Sequence, residues 1–106
     1  MSFGPSLAYS DPRREGREDV HYRARAFGPD AKQLNFIIVN ISAHGLMARC
    51  DDPFEPGDRI RVALPHAGTV VAEVRWSLGG RLGCQFEHAI DLASYYELIS
   101  TMVKAK

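Results

Sequence analysis

Two short groups of residues in this chain have side chains whose types and spacing could do chemistry. The first is Arg13-Arg14-Glu15-Gly16-Arg17, three guanidinium groups within five residues. A guanidinium offers a planar fork of N–H donors that suits phosphate oxygens or the edge of a flat base, and its face stacks on rings. The second is Val39-Asn40-Ile41-Ser42-Ala43-His44-Gly45-Leu46. On a strand, Asn40 and Ser42 share one face while Val39 and Ile41 point the other way. Gly45 then leaves backbone without a side chain, where the chain can turn tightly or another group can come close. Two small hydrogen-bonding groups beside bare backbone suit a flat polar ligand. Read locally, the same residues also suit a plain strand–turn–strand join, and the arginines suit a solvated run paired with Glu15, Glu18 and Asp19.

Other chemistries have little support. Ser42 and His44 would share a face, but no carboxylate is placed to orient the imidazole as a nucleophilic triad needs. The four histidines are dispersed and lack metal-ligand spacing, so no metal is expected. Asp51, Asp52, Glu55 and Asp58 are acidic like a calcium loop, but they lack its ligand order and are interrupted by Pro53 and Pro56. Trp76 reads as a core or barrel-rim aromatic rather than a stacking platform. Cys50 and Cys84 lie in apolar, strand-like contexts; they read as reduced, buried thiols or as a single disulfide. A binding module is expected, not an enzyme, and no cofactor.

The elements that would position these groups are legible from periodicity. At 106 residues, 45% hydrophobic and 25% charged, the chain is expected to form one ordinary soluble domain. Its formal net charge of zero argues against a generic nucleic-acid or membrane-surface binder. It has no apolar run of membrane-spanning length and no charged-then-apolar leader, so a cytoplasmic setting is expected. Residues 1–12 read as a flexible tail. Strands are expected at Val20 to Phe27, Gln33 to Ser42, Gly45 to Cys50, Arg59 to Leu64, Thr69 to Trp76 and Arg81 to Glu87, separated by Gly- and Pro-containing turns. After them the period changes. Leu92, Tyr95, Tyr96, Ile99, Met102 and Val103 fall at helical spacing, with Asp91 as a candidate N-cap and a helix over 91–104. Six strands without intervening helices predict an all-β fold, an antiparallel barrel or sandwich on which the last helix docks.

Arg13-x-x-x-Arg17 followed by Asn40-x-Ser42-x-x-Gly45 resembles the two-part signature of the PilZ domain family. Gly57-Asp58-Arg59-Ile60, Val74-Arg75-Trp76 and Gly83-Cys84-Gln85-Phe86 are similar to further positions of that family. The resemblance covers roughly residues 13 to 103, and it implies a six-stranded antiparallel split β-barrel with a C-terminal α-helix, one domain over 13–106. It also implies binding of cyclic di-GMP, with Arg13, Arg14 and Arg17 forking onto phosphate or guanine. Asn40 and Ser42 would meet the guanine edge, and Gly45 would clear space for it. Asn40 stands where the family often has aspartate; a neutral amide oxygen accepts more weakly than a carboxylate. The implied partners are the nucleotide and a downstream effector protein, in a monomer or homodimer that binds neither DNA nor RNA and does not insert in a membrane. The arginine segment would fold over the ligand and so transmit binding. A nucleotide-independent interaction adaptor on the same barrel is the alternative.

Overall fold

A computed structural model describes residues 17–104. The elements are β1 (Glu18–Phe27), β2 (Gln33–Ile41), β3 (Gly45–Arg49), β4 (Arg59–Leu64), β5 (Gly68–Leu78), β6 (Arg81–Phe86) and α1 (Leu92–Lys104). The six strands close into an antiparallel barrel in the order β1-β2-β3-β6-β5-β4, so β6 inserts between β3 and β5. The expected barrel and C-terminal helix are both present. Strand ends differ by one or two residues; β1 begins at Glu18 rather than Val20, and β5 runs on to Leu78. The tail expected at 1–12 lies outside the described residues.

The interior is filled by setting small residues against large ones across the ladder. Ala24 of β1 faces Phe36 of β2, and Ala48 of β3 lies between Ile38 and Leu82. Ala72 of β5 lies between Ile60 and Phe86. All of these side chains are buried. A small barrel has no room for bulk on every strand, and this alternation of sizes lets its interior fill.

Helix α1 seals one end. Tyr95, Leu98 and Met102, at i, i+3 and i+7, are buried against the strands. The expected N-cap is present: Asp91 Oδ1 accepts from the Ser94 N–H at 3.0 Å and Oδ2 from the Ser94 hydroxyl at 3.1 Å. These bonds, the backbone one foremost, hold the Asp91 carboxyl below its ordinary range. Two further contacts fix the helix. The Tyr95 hydroxyl donates to the Ile41 carbonyl at 3.1 Å, and His66 Nε2 lies 2.9 Å from Thr101 Oγ1.

Cys50 and Cys84 are free and buried, which resolves the two readings of the sequence in favour of thiols. Burial, with the nearby Cys50 adding, pushes the Cys84 thiol up to about 12 from 9.0. Burial likewise pushes the Tyr95 hydroxyl up to about 12 from 10.0, Glu18 and Tyr96 adding and Arg17 opposing. An acid whose pKa is raised by folding is held neutral by the fold. Its stabilisation is complete below its unfolded pKa and disappears as pH rises through the folded value. Unfolding free energy measured with denaturant is therefore expected to be level from neutral pH to about pH 9 and to fall between 9 and 12. The double variant Cys84→Ala/Tyr95→Phe should flatten that decline; an equally steep decline in it would refute the assignment.

Candidate functional site

Strict alternation along β2 would place Asn40 on the same face as Ile38, inside the barrel. It does not, because the β2–β3 register shifts between Ile38 and Asn40. The irregularity at Val39 leaves both Ile38 and Ile41 fully buried and turns Asn40 outward. The same device operates on β5. Val74 pairs with Cys84 inside the barrel, the register shifts, and Trp76 then pairs with Gly83 outside it. Trp76 is 40% exposed, so the core location allowed for it from the sequence is wrong: the bulge at Arg75 reverses its direction. A third shift lies in β1, between Asp19 and Tyr22.

These irregularities compose one outward row across four neighbouring strands: Asn40, Met47, Gly83 and Trp76. Asn40 Nδ2 lies 3.7 Å from Met47 Sδ. The Trp76 indole lies over Gly83, whose Cβ, if it had one, would fall 2.2 Å from Trp76 Nε1. The row thus joins an amide, a thioether and a half-exposed aromatic face on a rigid sheet. Arg17 reaches its open end, where Nη1 donates to Asn40 Oδ1 at 2.8 Å across 23 residues of sequence.

The remaining motif residues form the β2–β3 turn. Ser42 is 8% exposed; its Oγ accepts from the His44 N–H at 3.1 Å, and its own N–H donates to the Gly45 carbonyl at 2.8 Å. The turn is tied down from outside as well. Phe86 N–H donates to the His44 carbonyl and Ile90 N–H to the Ala43 carbonyl, each at 2.8 Å. Gly45 has a structural reason to be glycine: a Cβ there would sit 2.2 Å from the Cys84 carbonyl oxygen. The space expected to admit a ligand is filled by the backbone of β6.

Arg17, Asn40, Ser42 and Gly45 are thus brought together at the turn end of β2, whereas Arg13 and Arg14 lie outside the described residues. Sequence reasoning did not place Met47 or Trp76 in one row with Asn40. The glycine at the third position of β6, opposite a tryptophan, was the available signal. The site is an open sheet surface. A groove of about 490 Å³ lined by Asp30, Lys32, Phe54 and Asp58 lies at the β1–β2 turn, away from it. Among the described residues no group of three or more His, Cys, Asp or Glu is gathered as a metal site, and no helix is long and apolar enough to cross a membrane.

A six-stranded split barrel closed by a C-terminal helix, with an arginine brought onto an Asn-x-Ser-x-x-Gly turn, defines a class of ligand-binding module. The PilZ domain matches over residues 11–104, and the chain belongs to that family. Comparison with curated proteins gives no match. The family's domains are non-catalytic receptor and adaptor modules, known to bind cyclic di-GMP, and membership supports a receptor or adaptor role in general for this chain.

Proposed function

We propose that this chain is a cyclic di-GMP receptor whose binding face is the row from Arg17 and Asn40 to Trp76, and that it passes the signal to a partner protein in the cytoplasm. The observation that carries the reading is the Arg17–Asn40 hydrogen bond, which unites the two halves of the motif in one place. In that pair a guanidinium and an amide oxygen satisfy each other. A guanine edge offers N–H donors to Asn40, and a phosphate offers oxygens to Arg17, so the ligand exchanges into a bond already aligned. Trp76 supplies a flat face for a base. Arg13 and Arg14 join Arg17 on the strength of the family pattern, and ordering of this segment over the ligand is the proposed switch. A path to the rest of the fold starts next door: the Ile41 carbonyl, between Asn40 and Ser42, is held by Tyr95 of α1.

One observation favours the nucleotide-independent adaptor as a second reading. Leu92, Tyr96 and Val103 of α1 are 62%, 66% and 49% exposed, an apolar stripe that a partner could cover. Isothermal titration with cyclic di-GMP separates the two. Micromolar or tighter binding is expected, about tenfold weaker in Trp76→Ala. No heat at high concentration of folded chain would sink the receptor reading and leave the adaptor.

A further inference from the structure

Beside the motif row, the outer sheet face carries an arrangement that folding alone disfavours. Arg49 of β3 and Arg81 of β6 are directly opposite each other in the ladder, and both are exposed. Like charges on directly opposed strand residues repel. Neither guanidinium makes an ion pair or a side-chain hydrogen bond among the described residues. The strands offer no adjacent carboxylate: β2, β3 and β6 contain no acidic residue, and Glu73 of β5 pairs with Gln85, four residues along β6 from Arg81. Asp51 stands beside Gly80 at the margin of this face but does not pair with Arg81.

Their position gives the arrangement a use. Arg49 and Arg81 lie in the row Ile37, Arg49, Arg81 and Leu78. This is two residues along each strand from Met47, Gly83 and Trp76, or about 7 Å. An extended arginine is long enough to span that distance, so both guanidinium groups can extend to the edge of the Met47–Trp76 surface on the side away from the turn. We propose that Arg49 and Arg81 form a second, anion-binding edge of the nucleotide face, a pair that holds the far phosphate or guanine of a cyclic dinucleotide. The inference rests on the nucleotide reading of the site and adds to it a basis for selectivity. Arg17 and Asn40 engage one part of the ligand, and the Arg49–Arg81 pair engages another. A mononucleotide, with a single phosphate and base, cannot span both. The ligand's negative charge also relieves the repulsion between the two arginines, so the pair binds best what neutralises it.

Trp76 is the chain's single tryptophan, so its fluorescence reports binding to this face directly. The experiment titrates cyclic di-GMP and, separately, GMP into the unaltered chain, Arg49→Ala/Arg81→Ala, Arg81→Glu and Arg17→Ala, and melts each protein without ligand. The double variant is expected to bind cyclic di-GMP about tenfold more weakly, with a shallower dependence on salt, while GMP binding changes little. Arg81→Glu places a carboxylate opposite Arg49. It is expected to melt no lower than the unaltered chain and yet to bind at least as weakly as the double variant. Unchanged cyclic di-GMP affinity in both variants, with binding lost in Arg17→Ala, overturns this inference and leaves the site reading standing. Melting well below the unaltered chain in Arg81→Glu, with unchanged affinity, assigns the pair to the fold and overturns it too. Absence of cyclic di-GMP binding by the unaltered chain overturns both readings.

Discussion

Gly45→Ala is expected to destabilise this protein by about 3 kcal/mol or more, a fall of about 15 °C in thermal midpoint for a domain of this size. The added methyl would lie 2.2 Å from the Cys84 carbonyl oxygen, and 3.3 Å from both the Cys84 carbonyl carbon and Gln85 Cα. Every one of these atoms is backbone, so no rotamer change relieves the contact. Backing the strands apart is costly as well. Gly45 pairs with Gln85 and Leu46 with Cys84, and the Phe86 N–H holds the His44 carbonyl across the same junction. Opening that junction exposes Leu46 and Phe86, both buried, and leaves paired backbone groups without partners. Gly83 is the informative contrast. Its added methyl meets the Trp76 indole, a side chain half in solvent that can swing away. A thermal melt followed by far-UV circular dichroism checks the prediction; a midpoint within a few degrees of the unaltered chain would falsify it. The glycine that ends the motif is thus demanded by the β3–β6 approach before any ligand is considered.

Much of the fold was legible because its signals are local. The alternation in Arg59-Ile60-Arg61-Val62 marks β4, the Gly-Gly at 79–80 marks a turn, and the change to helical spacing after Asp91 marks α1. The two halves of the motif could be read as chemistry from their residue types, and their pairing from the family resemblance. What could not be read is the pair of bulges that turn Asn40 and Trp76 outward. Asn40 follows Ile38 by two, and Trp76 follows Val74 by two, so strict alternation puts both inside. Each is turned out by a bulge whose position depends on the neighbouring strand. The row itself requires β6 to lie between β3 and β5, a pairing across distant segments that no window of sequence contains. Gly45 shows the same limit: its residue type was informative, but the group that needs the space comes from Cys84, far along the chain. Barrel closure, not local pattern, assembles this site.

Arg17→Ala is expected to weaken cyclic di-GMP binding about a hundredfold while leaving the melting temperature almost unchanged. The two halves of this expectation have separate physical grounds. In the ligand-free protein Arg17 is exposed, and its hydrogen bond goes to an amide that water can also satisfy. Such surface contacts contribute between nothing and about 1 kcal/mol. With ligand present, the same guanidinium faces a phosphate or guanine between Asn40 and the sheet. There it can make two parallel charge-assisted bonds, and the variant would leave those acceptors unpaired. Arg17→Lys should recover only part of the loss, because an ammonium keeps the charge and loses the fork. The salt dependence of affinity should also be shallower in Arg17→Ala, since one cation no longer contributes to attraction. Titration calorimetry with a parallel melt decides the matter. Full affinity in Arg17→Ala would remove the role assigned to the Arg17–Asn40 pair. Equal losses of affinity and stability would make Arg17 a folding residue. Gly45→Ala is the control that couples the two readouts, because it disturbs the turn that carries Ser42 as well as the barrel. Loss of binding there cannot be told from loss of fold, whereas in Arg17→Ala the two come apart, and that separation is what identifies a binding residue.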